Sequence, residues 1–129
     1  MLQSAARHVR VLVVDDSSVF LHTLCSWLDA DPNVGHVTTA MNGLEALAMV
    51  DDSCPDLVLL DIQMPGMSGL QAVAKLLRRY PLLPVVMMTA HDIPGLREEC
   101  KHRGAHAFVA KRQLLQELPD ILAKVHLSL

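Results

Sequence analysis

Short apolar runs that read as strands alternate along this chain with stretches whose apolar residues return at helical spacing. That alternation limits the fold more than anything else in the sequence. Val9–Val14, "VRVLVV", is apolar enough to be buried on both faces. Residues 36–40 form a short β-branched run, 56–60 read "DLVLL", 84–89 read "PVVMMT" and 107–110 read "AFVA". The first helical stretch, 17–30, carries Val19, Phe20, Leu24, Trp27 and Leu28 at helical spacing and ends at the turn Asp31-Pro32-Asn33. A second begins after Asn42-Gly43 and runs from 44 to about 51. Pro65, Gly66 and Gly69 break the chain around the start of a third, over 68–79, with Leu70, Val73, Leu76 and Leu77 inward. A fourth covers about 95–103 and is closed by Gly104. Pro119 sits badly inside a helix, so the last one is predicted to start near Leu118, with Pro119 in its first turn. Residues 112–117 would then be a turn or a kinked lead-in. Strand and helix in this order give βα units, hence an α/β fold: a five-stranded parallel sheet, doubly wound as (βα)5.

A chain of 129 residues has the size of one domain, so 1–129 is read as a single unit with its core at about 9–125. Hydrophobic residues make up 51% and aromatic ones only 3%, which calls for an aliphatic core of layered sheet and helix. The net charge of −3 gives no electrostatic footprint for nucleic acid or an anionic membrane. No apolar run approaches the roughly 20 residues that span a bilayer. The N-terminal "MLQSAARHVRVLVVDD" has a short apolar stretch ending in two acids, which is not a signal peptide, so the expected compartment is the cytoplasm. Cys25, Cys54 and Cys100 are scattered and read as small hydrophobes. The histidines form no metal pair; His102 and His106 are four apart, but Gly104 between them breaks any helix.

In parallel sheets ligands bind at the carboxyl ends of the strands. At those ends stand Asp15 and Asp16, then Asp61, then Thr89, then Lys111. Each has an ordinary use by itself. Asp16 or Ser17 can cap a helix, Asp61 can accept loop N–H groups, Thr89 can be a plain β-branched strand residue, and a lysine is usually solvated. Together, at four strand ends, they fit phosphoryl transfer to a carboxylate. Clustered carboxylates repel unless a cation sits among them, and Mg2+ takes oxygen ligands. That ion and Lys111 would neutralise the phosphoryl oxygens while a carboxylate in line acts as nucleophile. Asp61, ending the central strand between the other groups, suits that role, and Thr89 can donate a hydrogen bond to the acquired group.

These residues carry a resemblance. Through "VLVVDDS" (11–17), "TAMNGLEAL" (39–47), "LVLLDIQMPGMSGL" (57–70), "VVMMTA" (85–90) and "GAHAFVAK" (104–111), the chain resembles the receiver domain of bacterial two-component response regulators from about residue 9 to 125. The resemblance implies a flavodoxin-like fold and phosphorylation of Asp61 by a sensor histidine kinase or phosphotransfer protein. It implies Mg2+ on Asp15, Asp16, Asp61 and the backbone carbonyl of Gln63, with Thr89 and Lys111 reading the phosphoryl group. Phe108 falls where the family keeps an aromatic whose rotation reports phosphorylation, and Gln63 and His91 fall where side chains tune the lifetime of the acyl phosphate. The output would be a downstream protein target or a fused output domain. No enzyme activity is implied beyond self-phosphorylation and self-dephosphorylation.

The chain departs from the family pattern after Lys111, where Arg112 replaces a proline often described as cis. A cis bond before a non-proline residue costs about 2.5–4 kcal/mol, so a trans bond is expected. The K-P-F start of a large DNA-binding subfamily is also missing, and its dimer is not expected. Other folds with an Asp nucleophile fit worse. A haloacid-dehalogenase-type phosphatase needs a second acid two residues after the first, whereas Gln63 follows Asp61 and Ser17 follows Asp15. A flavin-binding domain would not place "DDSSVF" against a phosphate, and no G-x-G-x-x-G marks a dinucleotide site. The remaining alternative is a degenerate receiver acting as a phosphorylation-independent interaction module, against which the intact Asp, Thr and Lys set argues.

Overall fold

The structure, a computed structural model, describes residues 7–129. The reading of the N-terminus as no leader peptide rests partly on residues 1–6, which lie outside it. The chain runs β1 (Val9–Val14), α1 (Ser18–Asp29), β2 (Val34–Ala40), α2 (Gly43–Ser53), β3 (Leu57–Asp61), α3 (Gly69–Arg79), β4 (Val85–Thr89), α4 (Leu96–His102), β5 (Ala107–Ala110) and α5 (Leu114–Leu127). A 3-10 turn, Lys111–Gln113, joins β5 to α5.

All strand pairs are parallel, in the order β2-β1-β3-β4-β5, which is the flavodoxin-like arrangement. From β1 the chain steps outward to β2 and then crosses back to add β3, β4 and β5 on the other side of β1. The reversal leaves a crevice at the carboxyl ends of β1 and β3, where two neighbouring connections leave the sheet on opposite faces.

Side chains alternate across the sheet as the pleat requires. Val11, Val13, Leu57, Leu59, Val86, Met88 and Val109 form one core with α1 and α5. Leu12, Val14, Val58, Leu60, Val85, Met87 and Phe108 form the other with α2, α3 and α4. Burial on both faces is why β1, β3 and β4 read as continuous apolar runs. A register slip of one residue would exchange the two sets, so register is firmly set. Cys100 is fully buried in the second core and acts as a small hydrophobe, as expected. No helix among the described residues is long and apolar enough to cross a membrane.

The last helix corrects the sequence reading. It starts at Leu114, four residues before Leu118, and Pro119 lies in its interior. Leu114, Leu118, Leu122 and Val125 make a continuous buried stripe, and their burial against the sheet outweighs the local cost of the proline. Pro119 and Leu115 are both exposed, so the missing hydrogen bond falls on the face of the helix turned away from the buried stripe. Smaller differences follow the same pattern: β2 begins at Val34 rather than 36, and α4 is confined to seven residues after Gly95. Gly69 is the first residue of α3 rather than a break before it. The peptide bond between Lys111 and Arg112 is trans, as no cis bond occurs among the described residues.

Candidate functional site

Strand register brings the expected groups together. Val14 pairs with Leu60, so Asp15 and Asp61, one residue further on, leave adjacent strands side by side. Thr89 pairs with Ala110, which places Lys111 just beyond it. Asp15, Asp61 and Thr89 are the buried polar side chains among the described residues, and all three lie at this one edge. Asp16 is exposed beside them. The cap of α1 is Ser17, whose hydroxyl accepts the Phe20 N–H at 3.2 Å, so Asp16 is not used for capping. Asp15 Oδ1 accepts the Ser17 N–H at 2.9 Å, which fixes the buried carboxylate against the start of the helix.

One oxygen from each of Asp15, Asp16 and Asp61 falls within 4.8 Å of the others. Lys111 Nζ lies 2.5 Å from Asp15 Oδ2 and 3.4 Å from Asp61 Oδ2. The Asp15 contact is one of charge without hydrogen-bond alignment, so this buried oxygen has an ionic partner and no directed donor. Asp61 Oδ1 accepts the Gln63 N–H at a long 3.4 Å. The Asp61 carboxyl is pushed up to about 6, chiefly by burial and then by the charge of Asp15; Lys111 and the Gln63 N–H oppose the rise without cancelling it. Such a site is short of positive charge. Three carboxylates, one of them with an oxygen lacking a directed donor, are a donor set for a hard divalent cation, and the residues fit Mg2+.

Thr89 and Phe108 are tied elsewhere. The Thr89 hydroxyl donates to the His91 carbonyl at 2.9 Å and accepts the His91 N–H at 3.0 Å, so both of these bonds are to its own loop. Phe108 is 7% exposed, its ring already largely buried, with the Arg97 guanidinium 4.6 Å from the ring centroid. The side chains of Gln63 and His91 are exposed near this edge. Sequence reasoning missed two neighbours. Phe20, read only as part of a helical stripe, lies with its ring centroid 4.3 Å from Lys111 Nζ. Arg97 was not singled out at all. The available signal was scarcity, since the chain has only two phenylalanines and each faces a cation. A groove of about 640 Å³ lies away from these groups, against Val50, Pro55, Tyr80, Pro84 and Leu129. It gathers no comparable set of acids, so volume does not mark the chemistry.

Comparison with known proteins points the same way. The family model described as the response regulator receiver domain matches residues 11–123. A protein-glutamate methylesterase/protein-glutamine glutaminase of Koribacter versatilis is 36% identical over 128 residues, covering 93% of this chain and 35% of that protein. The chain thus spans about a third of the length of the methylesterase relatives it matches. The chemotaxis protein CheY of Listeria monocytogenes is 36% identical over 103 residues, 80% of this chain and 86% of that protein. The response regulator domain of Thermotoga maritima CheB superposes with a TM-score of 0.84 at 29% identity, covering 93% of this chain and 97% of that one. With the family match running from within β1 to within α5, and with the sheet order and acid cluster that the strand ends called for, this chain belongs to the response regulator receiver domain family.

Proposed function

We propose that Asp61 is the phosphoacceptor of this receiver, and that Asp15, Asp16, Asp61 and the Gln63 backbone carbonyl hold the Mg2+ that the transfer uses. The carrying observation is that oxygens of three carboxylates lie within 4.8 Å of one another, with Lys111 against two of them, Asp15 and Asp61. Receiver domains as a family are signalling domains that bind Mg2+ at an acidic cluster and work with histidine kinases or phosphotransfer proteins and with output domains. Bound here, Mg2+ would let the carboxylates ionise together and would neutralise oxygens of the incoming phosphoryl group.

The donor would be the phosphohistidine of a sensor histidine kinase or phosphotransfer protein. An Asp61 oxygen attacks phosphorus, the O–P bond forms as the N–P bond breaks, and the electron pair returns to the donor imidazole. Lys111, already within 3.4 Å of Asp61, binds a phosphoryl oxygen. Thr89 gives up the His91 carbonyl and donates instead to the new group. The loop from Ala90 to Gly95 follows, and Phe108 and Arg97 re-pack, which changes the surface of α4, β5 and α5. Packed elements of this kind have discrete arrangements, so phosphorylation shifts a population between two states. Residues 1–129 act as one receiver unit in the cytoplasm, and the readout is a downstream protein or a fused output domain.

Incubation with acetyl phosphate and Mg2+ tests the assignment. The wild-type chain takes one acid-stable, base-labile phosphoryl group and Asp61→Asn takes none. Labelling of the Asn variant at the wild-type rate would remove Asp61 from the role.

A further inference from the structure

Phe20 has no part in the reaction as derived so far, yet it touches the lysine at its centre. It lies in the first turn of α1, half-buried, where the Ser17 cap that starts the helix also fixes its backbone N–H. Among the described residues, Lys111 Nζ lies 2.5 Å from Asp15 Oδ2, 3.4 Å from Asp61 Oδ2 and 4.3 Å from the Phe20 ring centroid. The shortest of these contacts is to a carboxylate that the proposed function assigns to the metal. When that carboxylate is taken, a flexible four-carbon side chain loses its main anchor and is free to leave the site. The ring offers nothing that a hard cation binds, so its attraction for the ammonium survives.

We propose that Phe20 is a positioning residue for phosphoryl transfer: its π face keeps the Lys111 ammonium beside Asp61 once Asp15 is no longer available to it. The inference rests on the reading of Lys111 as the phosphoryl-binding lysine. Its distinguishing feature is that ring character matters and apolar volume alone does not suffice.

The full chain is compared as wild type, Phe20→Leu and Phe20→Tyr, with two readouts. The first is the ε-methylene proton shift of Lys111 with and without Mg2+. It should be displaced upfield by the ring in wild type under both conditions, lost in Phe20→Leu and recovered in Phe20→Tyr. The second is the initial rate of labelling by acetyl phosphate at saturating Mg2+. Phe20→Leu should be roughly three- to tenfold slower, the factor that a partly desolvated cation–π contact is worth, and Phe20→Tyr should return to within about twofold of wild type. A wild-type rate in Phe20→Leu overturns the proposal, as does a Phe20→Tyr variant as slow as Phe20→Leu. A wild-type protein that takes no label sinks the acceptor assignment instead. The Lys111 shift then still decides the contact: retention with Mg2+ supports it and disappearance overturns it.

Discussion

The loops after β3 and β4 leave adjacent strands at the same edge of the sheet, and they are built in opposite ways. The loop after β3 is locked. The Gly69 N–H donates to the Ile62 carbonyl at 2.7 Å, and a Cβ on Gly69 would lie 2.1 Å from the Asp61 carbonyl oxygen and 2.6 Å from Ile62 Cα. Ser68 and Gln71 close a capping box on α3, and Met67 lies so close to Gly43 of α2 that a Cβ there would come within 2.7 Å of its Sδ. In the loop after β4, every residue from Ala90 to Gly95 is exposed. Gly95, at the N-cap just before the short α4, has a left-handed φ of 86° and gives the helix no side-chain cap, and a Cβ there would meet nothing within 4 Å. The Thr89 hydroxyl ties this loop to the site through the N–H and the carbonyl of His91. Under the proposed function the difference follows a division of labour: an attacking carboxylate must be held to a fraction of an ångström, whereas a reporting loop must have somewhere else to go.

The most severe way to break this comparison is to put a methyl group on each side of it. Gly69→Ala should lose about 2–4 kcal/mol of stability in urea titration, because backbone must yield, and should label poorly. Gly95→Ala faces open space and only the strain of a positive φ, about 1 kcal/mol, and should label normally. Equal losses in the two variants would show that the loops are not differently packed.

A smaller effect comes from charge. In the ion-free protein the Asp61 carboxyl stands near 6 against an ordinary 3.8, so between those values the folded state holds a proton that the unfolded state has released. Stability therefore falls as pH rises through about 4 to 6, and the penalty is fully present at neutral pH. After discounting for solvent screening at the open edge, Asp61→Asn should be more stable than wild type by about 1–2 kcal/mol at pH 7. The gap should shrink toward pH 4 and on adding Mg2+. Chemical denaturation of both proteins across that range checks it; a gap that widens on acidification would reverse the electrostatic account.

Thr89→Ala removes the tie of the exposed loop after β4 and should cost about 1 kcal/mol, the net worth of a buried hydroxyl's hydrogen bonds. Labelling at Asp61 should persist while the NMR shifts of α4 and β5 on beryllofluoride binding are lost. A full wild-type response in that variant would separate Thr89 from the switch. The mildest test concerns the rim. His91→Ala should shorten the acyl-phosphate half-life severalfold by opening the path of water, and Gln63→Ala should change it less. Measured decay that is unchanged in His91→Ala would remove this residue from the lifetime account.

The order of strands and helices, and the identity of Asp15, Asp16, Asp61, Thr89 and Lys111 at the strand ends, were legible in the chain because periodicity and breakers act locally. Expectation failed where distant packing outbid local preference. Pro119 argued for a late helix start, but Leu114 and Leu118 bury against the sheet together with Leu122 and Val125, and that stripe carries the helix through the proline. Gly69 looked like a breaker, while its real constraint is the Asp61 carbonyl it must pass. Phe20 under Lys111 was invisible because the pair joins α1 to the far end of β5, and Arg97 over Phe108 because the way α4 faces β5 is set by packing rather than by local pattern. The raised Asp61 carboxyl belongs to the same class. A sequence fixes which groups a strand end carries, but burial and the distance to Asp15 and Lys111 exist only once β1, β3 and β5 lie in one sheet.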